Sequence, residues 1–137
     1  MGLILDSSVA IAAERRRLPV EDMLTAIREL SGPEEIALSV VSVMELEHGI
    51  WRAKEPAQAT RRKHFLEDLI SNIPVYPVTT ELARKAGRID AEQQTRGVRN
   101  AFQDLLIGVS ALELGYAVIT HNVRHFQMIP DLIVKQL

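Results

Sequence analysis

Two aspartates are the residues of this chain best placed to do chemistry. Asp6 closes a short apolar run, "LILD", and is followed by Ser7 and Ser8. Asp104 opens "DLLIGVSALELG", a segment apolar on nearly every side. A helix of that kind belongs inside a protein. Its N-terminus favours a negative charge, but burial disfavours one unless a partner compensates. Taken singly, each aspartate has an ordinary explanation. Asp6 caps the helix that follows, and Asp104 caps its own helix or pairs with a base. Taken together, carboxylates that converge in one crevice repel each other, and something cationic must hold them. Hard oxygen donors without cysteine or a histidine cluster suit Mg²⁺, with Mn²⁺ as a substitute.

A third carboxylate is expected from "SVVSVMELEHGIW", where Glu45 and Glu47 are the candidates. On a helical wheel begun at Val40, Glu45 falls on the border of the apolar arc. Glu47 falls inside it, near Val43 and Trp51. The wheel does not choose between them, and the ordinary reading of Glu47 is an aliphatic stem lying past Trp51.

The elements that must position these groups alternate along the chain. "LILD" reads as a buried strand. A helix follows from Ser7 to about Arg17, broken by Pro19, and a second spans Val20 to Leu30, closed by Ser31-Gly32-Pro33. "EIALS" is a second strand, after which Ser39 caps a helix to about Ala53. Pro56 restarts a helix that reaches Ser71. "PVYPV" is short and extended. Thr79 or Thr80 caps a helix from Glu81 to about Thr95, ended by Gly97. Asn100 and Gln103 have the spacing of a capping box for the buried helix, which Gly115 ends. "YAVIT" is a third strand, Arg124 to Phe126 form a turn, and "LIVKQ" is a last edge strand. Strands alternating with helices predict an α/β domain with a mainly parallel sheet and right-handed crossovers. Ligands of such sheets bind beyond the carboxyl ends of the strands, at a topological switch. That rule directs attention to Asp6, Ser7 and Ser8 at one strand end and to Thr120, His121 and Asn122 at another.

With 137 residues the chain reads as a single domain, 1–137, with one sizeable core. It lacks cysteine, which excludes a disulfide scaffold, a zinc–thiolate site and a thiol nucleophile, and which fits a reducing cytoplasm. The opening "MGLILDSS" is too short and too interrupted for a secretory signal, and its Met-Gly is not read as a lipidation signal. The net charge of −2 argues against a general nucleic-acid coat, so a polyanionic partner must be met by local bases or by metal ions. Neither a dinucleotide-binding nor a P-loop glycine pattern is present. An aspartyl phosphotransferase is disfavoured too: Ser8 stands where a second carboxylate is wanted, and "YAVITHN" supplies no lysine.

Four stretches, "LILDSS", "SVVSVMELEHG" with its E-L-x-x-G, "DLLIGVSALELGYAVIT" and "HNVRHFQMIP", follow one another in the order and spacing of the PIN-domain family. The sequence resembles most the VapC-type toxins of bacterial toxin–antitoxin pairs, over essentially the whole chain. The resemblance implies a three-layer α/β/α fold with a mainly parallel sheet of about five strands. It implies that Asp6, Glu45 and Asp104 are the catalytic, metal-binding acids, and E-L-x-x-G selects Glu45 over Glu47. Ser7, Thr120 and Asn122 match supporting positions. Asn122 stands where relatives carry Asp or Asn, which weakens the case for a tightly held second ion.

The activity implied is endoribonuclease action on single-stranded loops of structured RNA. The chemistry is physically direct. A divalent ion makes hydroxide available near neutral pH and stabilises charge on the phosphate, so no protein nucleophile is needed. Arg96, Arg99, His121, Arg124 and His125 flank the acidic segments and are the candidates for phosphate contact. Arg15-Arg16-Arg17 and Arg61-Arg62-Lys63 read more simply as solvated helix faces. His121 and His125 are four apart, but their segment is too short for a secure helical metal pair. The resemblance also implies a VapB-type antitoxin that reaches the acids, and a homodimer. The helices Val20–Leu30 and Ala57–Ser71 are amphipathic enough to form a groove for a partner helix, although core packing explains their faces too. The rival of another class is a PIN-fold module that grips RNA or protein without cutting.

Overall fold

The computed structural model describes residues 1–137. Its elements are β1 (Leu3–Leu5), α1 (Ser7–Arg15), α2 (Val20–Ser31), β2 (Ile36–Ser39), α3 (Val40–Trp51), α4 (Pro56–Asn72), β3 (Val75–Tyr76), α5 (Thr80–Thr95), α6 (Phe102–Leu114), β4 (Ala117–Thr120), α7 (Val123–Gln127) and β5 (Val134–Gln136). Side chains alternate across a strand, so short apolar strands can serve two cores at once. Leu3, Leu5, Ile36, Leu38, Ala117 and Ile119 face one layer, packed on Val9 and Ala13 of α1, Met23 and Ile27 of α2, and Leu69 of α4. Ile4, Ala37 and Val118 face the other, packed on Leu82 and Ile89 of α5, Ile107 and Ala111 of α6, and Phe126 of α7. The result is a three-layer α/β/α sandwich. Helix α3 serves both sides: Val41 enters the second core, while Val43 and Leu46 pack on the first.

The sheet has five strands in the order β3-β2-β1-β4-β5, and every pairing is parallel. The chain winds outward from β1 to β3, then returns to lay β4 on the opposite side of β1. The winding therefore reverses between β1 and β4, and their carboxyl ends open a crevice. Leu5 pairs with Ile119 there, so Asp6 and Thr120 leave the sheet side by side.

Helix ends follow local chemistry, with one correction. Ser39 Oγ accepts from Val41 N–H at 3.1 Å, and Thr79, not Thr80, accepts from Leu82 N–H at 3.1 Å. Gly115 ends α6 in the left-handed region at φ 69°. The capping box expected from Asn100 and Gln103 does not form. Helix α6 starts one residue later, with Ala101 at the N-cap and no side-chain cap bond. That shift puts Asp104 at the third helical position, where free N–H groups and the helix dipole favour a carboxylate. Two smaller boundaries also move. Helix α1 stops at Arg15 because Arg17 turns to φ 58°, and the expected turn after Asn122 grows into the short helix α7. Away from the crevice, Tyr76 and Tyr116 hydroxyls both donate to Glu35 Oε1, at 2.8 and 2.6 Å, tying β3 and the start of β4 to the residue that leads into β2.

Gly108 lets the body of α6 approach the segment after α7. A Cβ on it would lie 2.5 Å from Ile129 Cδ1 and 3.1 Å from Leu132 Cδ2. Both atoms end flexible side chains, so Gly108→Ala is expected to stay within about 1 kcal/mol of the parent, helped by helix propensity. Gly108→Ile is expected to cost about 1–3 kcal/mol through overpacking, measured by urea unfolding.

Candidate active site

The site is built on β1. Asp6 follows the strand directly, and its N–H continues the ladder to Ile119 O at 3.0 Å. Its carboxylate is almost fully buried, with 4% exposure for the residue. Two hydroxyls serve the same oxygen: Thr120 Oγ1 donates to Asp6 Oδ2 at 2.8 Å and Ser8 Oγ at 2.6 Å. Thr120 and Ser8 also touch at 3.3 Å, and they accept from the N–H groups of Asn122 and His121, at 2.8 and 3.2 Å. The buried acid is thus solvated by hydroxyls but not neutralised.

Glu45 and Asp104 come from opposite walls. Glu45 lies in the middle of α3, where Ser7 Oγ donates to its Oε1 at 3.3 Å. Its pKa is pushed up to about 6, first by burial and then by the charge of Asp6; the Ser7 hydrogen bond opposes this and Asp104 adds to it. The Asp104 carboxyl is also raised, first by burial and then by Asp6, against the opposing effect of His125. His125 Nδ1 stands 3.4 Å from Asp104 Oδ2. No Lys or Arg forms an ion pair with any of the three acids. The electrostatics are those of a deficit of positive charge.

Oxygen donors buried without a Lys or Arg partner, two of them with raised pKa values, fit a hard divalent cation. The cluster is open, since no three of its acidic or imidazole side chains stand close enough to enclose an ion.

The fold brings Ser7 and Thr120 to the acids as anticipated. Asn122 contributes a backbone N–H to Thr120, while its side chain is exposed and makes no cap bond. Ser8 emerges as the centre of the hydroxyl network. The doublet Ser7-Ser8 carried the signal but not the choice, because both follow the strand end. Glu47 is not part of the site: it is exposed and accepts from the Trp51 indole N–H at 2.9 Å. The apolar arc that seemed to enclose it is itself exposed at that end, Trp51 to 82%. His121 precedes α7, so it and His125 do not form a helical pair.

Arg96, Arg99, His121 and Arg124 are all exposed, and Arg99 lines a recess beside Asp104 and His125. The two basic triplets meet: Arg15, Arg17 and Arg61 border one polar hollow with Glu14 and Gln58. The apolar face of α2, one of the two helices expected to form a partner groove, is in the core. An apolar groove runs between α1, α3 and α4, past Ile11, Glu45, Leu46 and Phe65.

A parallel sheet whose reversal gathers three carboxylates defines an α/β domain with an acidic crevice. Comparison with known proteins is more specific. The PIN domain family model matches residues 3–131. The chain is 32% identical over 130 residues to ribonuclease VapC10 of Mycobacterium tuberculosis, covering 95% of this chain and 90% of that protein. It is 28% identical over 134 residues to ribonuclease VapC of Rickettsia bellii, covering 98% and 95%. It therefore belongs to the PIN domain family, among the VapC ribonucleases. The fold agrees. A structure of VapBC2 from Rickettsia felis bound to a promoter DNA fragment superposes with a TM-score of 0.83 at 20% identity, covering 99% of this chain and 98% of that one. DNA-bound VapBC from Salmonella typhimurium gives 0.82 at 24%, covering 99% and 98%.

Glu45 gives a test of the charge deficit. Its pKa rises from 4.5 to about 6 on folding, so its contribution to stability is fully present below pH 4.5 and is lost as pH rises through about 6. In metal-free protein, Glu45→Gln is expected to raise the melting temperature at pH 8 and to leave it unchanged at pH 4. Thermal unfolding in EDTA at the two pH values measures this.

Proposed function

We propose that this chain is a Mg²⁺-dependent endoribonuclease, the toxin of a toxin–antitoxin pair, acting in the cytoplasm on structured RNA cut in a single-stranded loop. The observation that carries the reading is the crevice itself: Asp6, Glu45 and Asp104 share it without a Lys or Arg partner, and burial together with the charge of Asp6 raises the proton affinity of the other two. Family membership supplies the reaction class, and the ribonuclease names of the relatives agree with it.

Asp6, Glu45 and Asp104 would hold the ion. A bound Mg²⁺ supplies a water acidic enough to give hydroxide near neutral pH and a positive charge against the phosphate. The chain's residues do the rest. Thr120 and Ser8 fix Asp6 by bonding one of its oxygens, which leaves Oδ1 free for the ion. Ser7 occupies Glu45 Oε1 and leaves Oε2 without a protein donor, free to take a proton from the attacking water. His125 orients Asp104 at the helix terminus. Arg96, Arg99, His121 and Arg124 meet the RNA phosphates from the exposed rim.

The partner is a VapB-type antitoxin. One of the similar proteins is described as a tRNA(fMet)-specific endonuclease, and several similar structures are VapBC complexes. The groove of Ile11, Leu46 and Phe65 ends at Glu45, so a segment seated in it would reach the acids and displace substrate. The protein also forms a homodimer in this reading. Val40, Met44 and Phe102 are exposed at 39%, 56% and 69% and border one apolar recess between α3 and α6. Phe102→Asp is expected to convert a dimer to a monomer by light scattering.

Asp104→Asn is expected to fold, to lose Mg²⁺ binding by calorimetry, and to lose cleavage by on the order of 10²-fold or more. Unchanged cleavage by the purified variant removes Asp104 from the mechanism. A parent protein that binds RNA, ignores Mg²⁺ and never cuts is a binding module instead.

A further inference from the structure

The late start of α6 leaves the Asn100 side chain without the role its spacing promised. Its Nδ2 and Oδ1 are both shut off from water, and neither has a hydrogen-bond partner. An amide in that condition is unusual, because buried polar groups are nearly always paired. Asn100 also lines a recess of about 210 Å³ with Arg99, Asp104, His125 and Met128. A group bound in this recess lies against the catalytic acid.

We propose that this recess is a nucleobase subsite, and the inference rests on the ribonuclease reading above. It receives the base of a nucleotide next to the bond being cut, and the Asn100 carboxamide reads that base's edge. An amide carries donors and an acceptor side by side. A base edge presents the complementary pair, and single-stranded RNA leaves such edges free to be read. The other walls suit the rest of a nucleotide. Met128 offers a polarisable apolar surface to the flat face of the base. Arg99 offers a planar, exposed guanidinium to the adjoining phosphate. The Met128 wall is held in place from behind, where the buried Gln93 side-chain amide donates to the Met128 carbonyl. On binding, the Asn100 side chain turns into the recess it borders and gains the partners it lacks.

The test uses the full chain with Mg²⁺ and a pool of RNA hairpins with randomised loops. Cleavage ends are sequenced for the parent, Asn100→Ala, Asn100→Asp and Asn100→Leu. The expected parent profile has a nucleotide preference at one position flanking the cut. Asn100→Ala flattens that preference by about fivefold or more. Asn100→Asp, which keeps acceptors and loses the donors, shifts it toward bases with an exocyclic amino group. Asn100→Leu melts no lower than the parent, because it removes an unpartnered amide. If Asn100→Ala fails to fold, the isosteric Asp variant decides. A parent profile without preference beside the cut overturns the subsite, as does an unchanged profile in Asn100→Ala and Asn100→Asp. Asn100 variants that cut like the parent but no longer bind the antitoxin assign the recess to the protein partner and overturn it too. A parent that cuts nothing overturns the ribonuclease reading as well.

Discussion

The buried carboxylate of Asp6 is the constraint around which this molecule is organised. It stands at the end of β1, the central strand, and the parallel register that pairs Leu5 with Ile119 sets Thr120 beside it. Two hydroxyls then bond one of its oxygens. Hydroxyls replace the water that burial removes, but they carry no net charge, so the carboxylate's field reaches across the crevice. Burial raises the proton affinity of both other acids, and this field adds to the rise. The sheet thus fixes where a negative charge must sit, and the helices on either side bring more of it.

Opposing demands are divided between different parts of the same elements. The body of α6 is buried at Leu105, Ile107, Val109 and Ala111, which fixes the direction of its N-terminal turn and hence of Asp104. Helix α3 packs into both cores and holds Glu45 between them. Each acid therefore rides on a rigid support whose stability comes from apolar burial elsewhere. The crevice itself contributes the opposite sign: ionised carboxylates crowded there work against the fold, as functional sites commonly do.

Layer architecture was legible in the sequence because it depends on strong, local signals. Apolar runs at "LIL", "IALS" and "AVIT" are short enough to be strands and apolar enough to be buried on both faces. Gly97 and Gly115 end their helices as glycine should. The placing of Asp6 and Thr120 at the crevice was legible because both stand at strand ends beside the switch point. What escaped depends on a single residue of phase or on solvent. The α6 start differs by one position from the Asn100 capping box, and that one step turns Asn100 from a cap into an orphan. Glu47 looked enclosed because a wheel shows which residues share a face but not whether anything covers it. The preference for Ser8 over Ser7 at Asp6 depends on where the first turn of α1 begins. The apolar face of α2 went to the core, and an open groove lies among α1, α3 and α4, because amphipathic patterning cannot tell a face that meets the core from one left open.

An open cluster of carboxylates behaves differently from a closed cage. A cage pays the repulsion of its ligands in advance and binds its ion at any pH where they are ionised. Here the acids share a crevice but are not drawn together around a point. For an ion held there, as proposed, protons are the competitor. With Glu45 half protonated near pH 6, each step of acidification below that value removes charge from the crevice and with it the attraction for a divalent cation. The same competition extends to any positive side chain that enters along the groove ending at Glu45. A guanidinium or ammonium there would satisfy the charge deficit as an ion does, and it would do so without supplying an activated water. Neutralising the crevice and activating it are thus separate acts, and the geometry allows the first without the second.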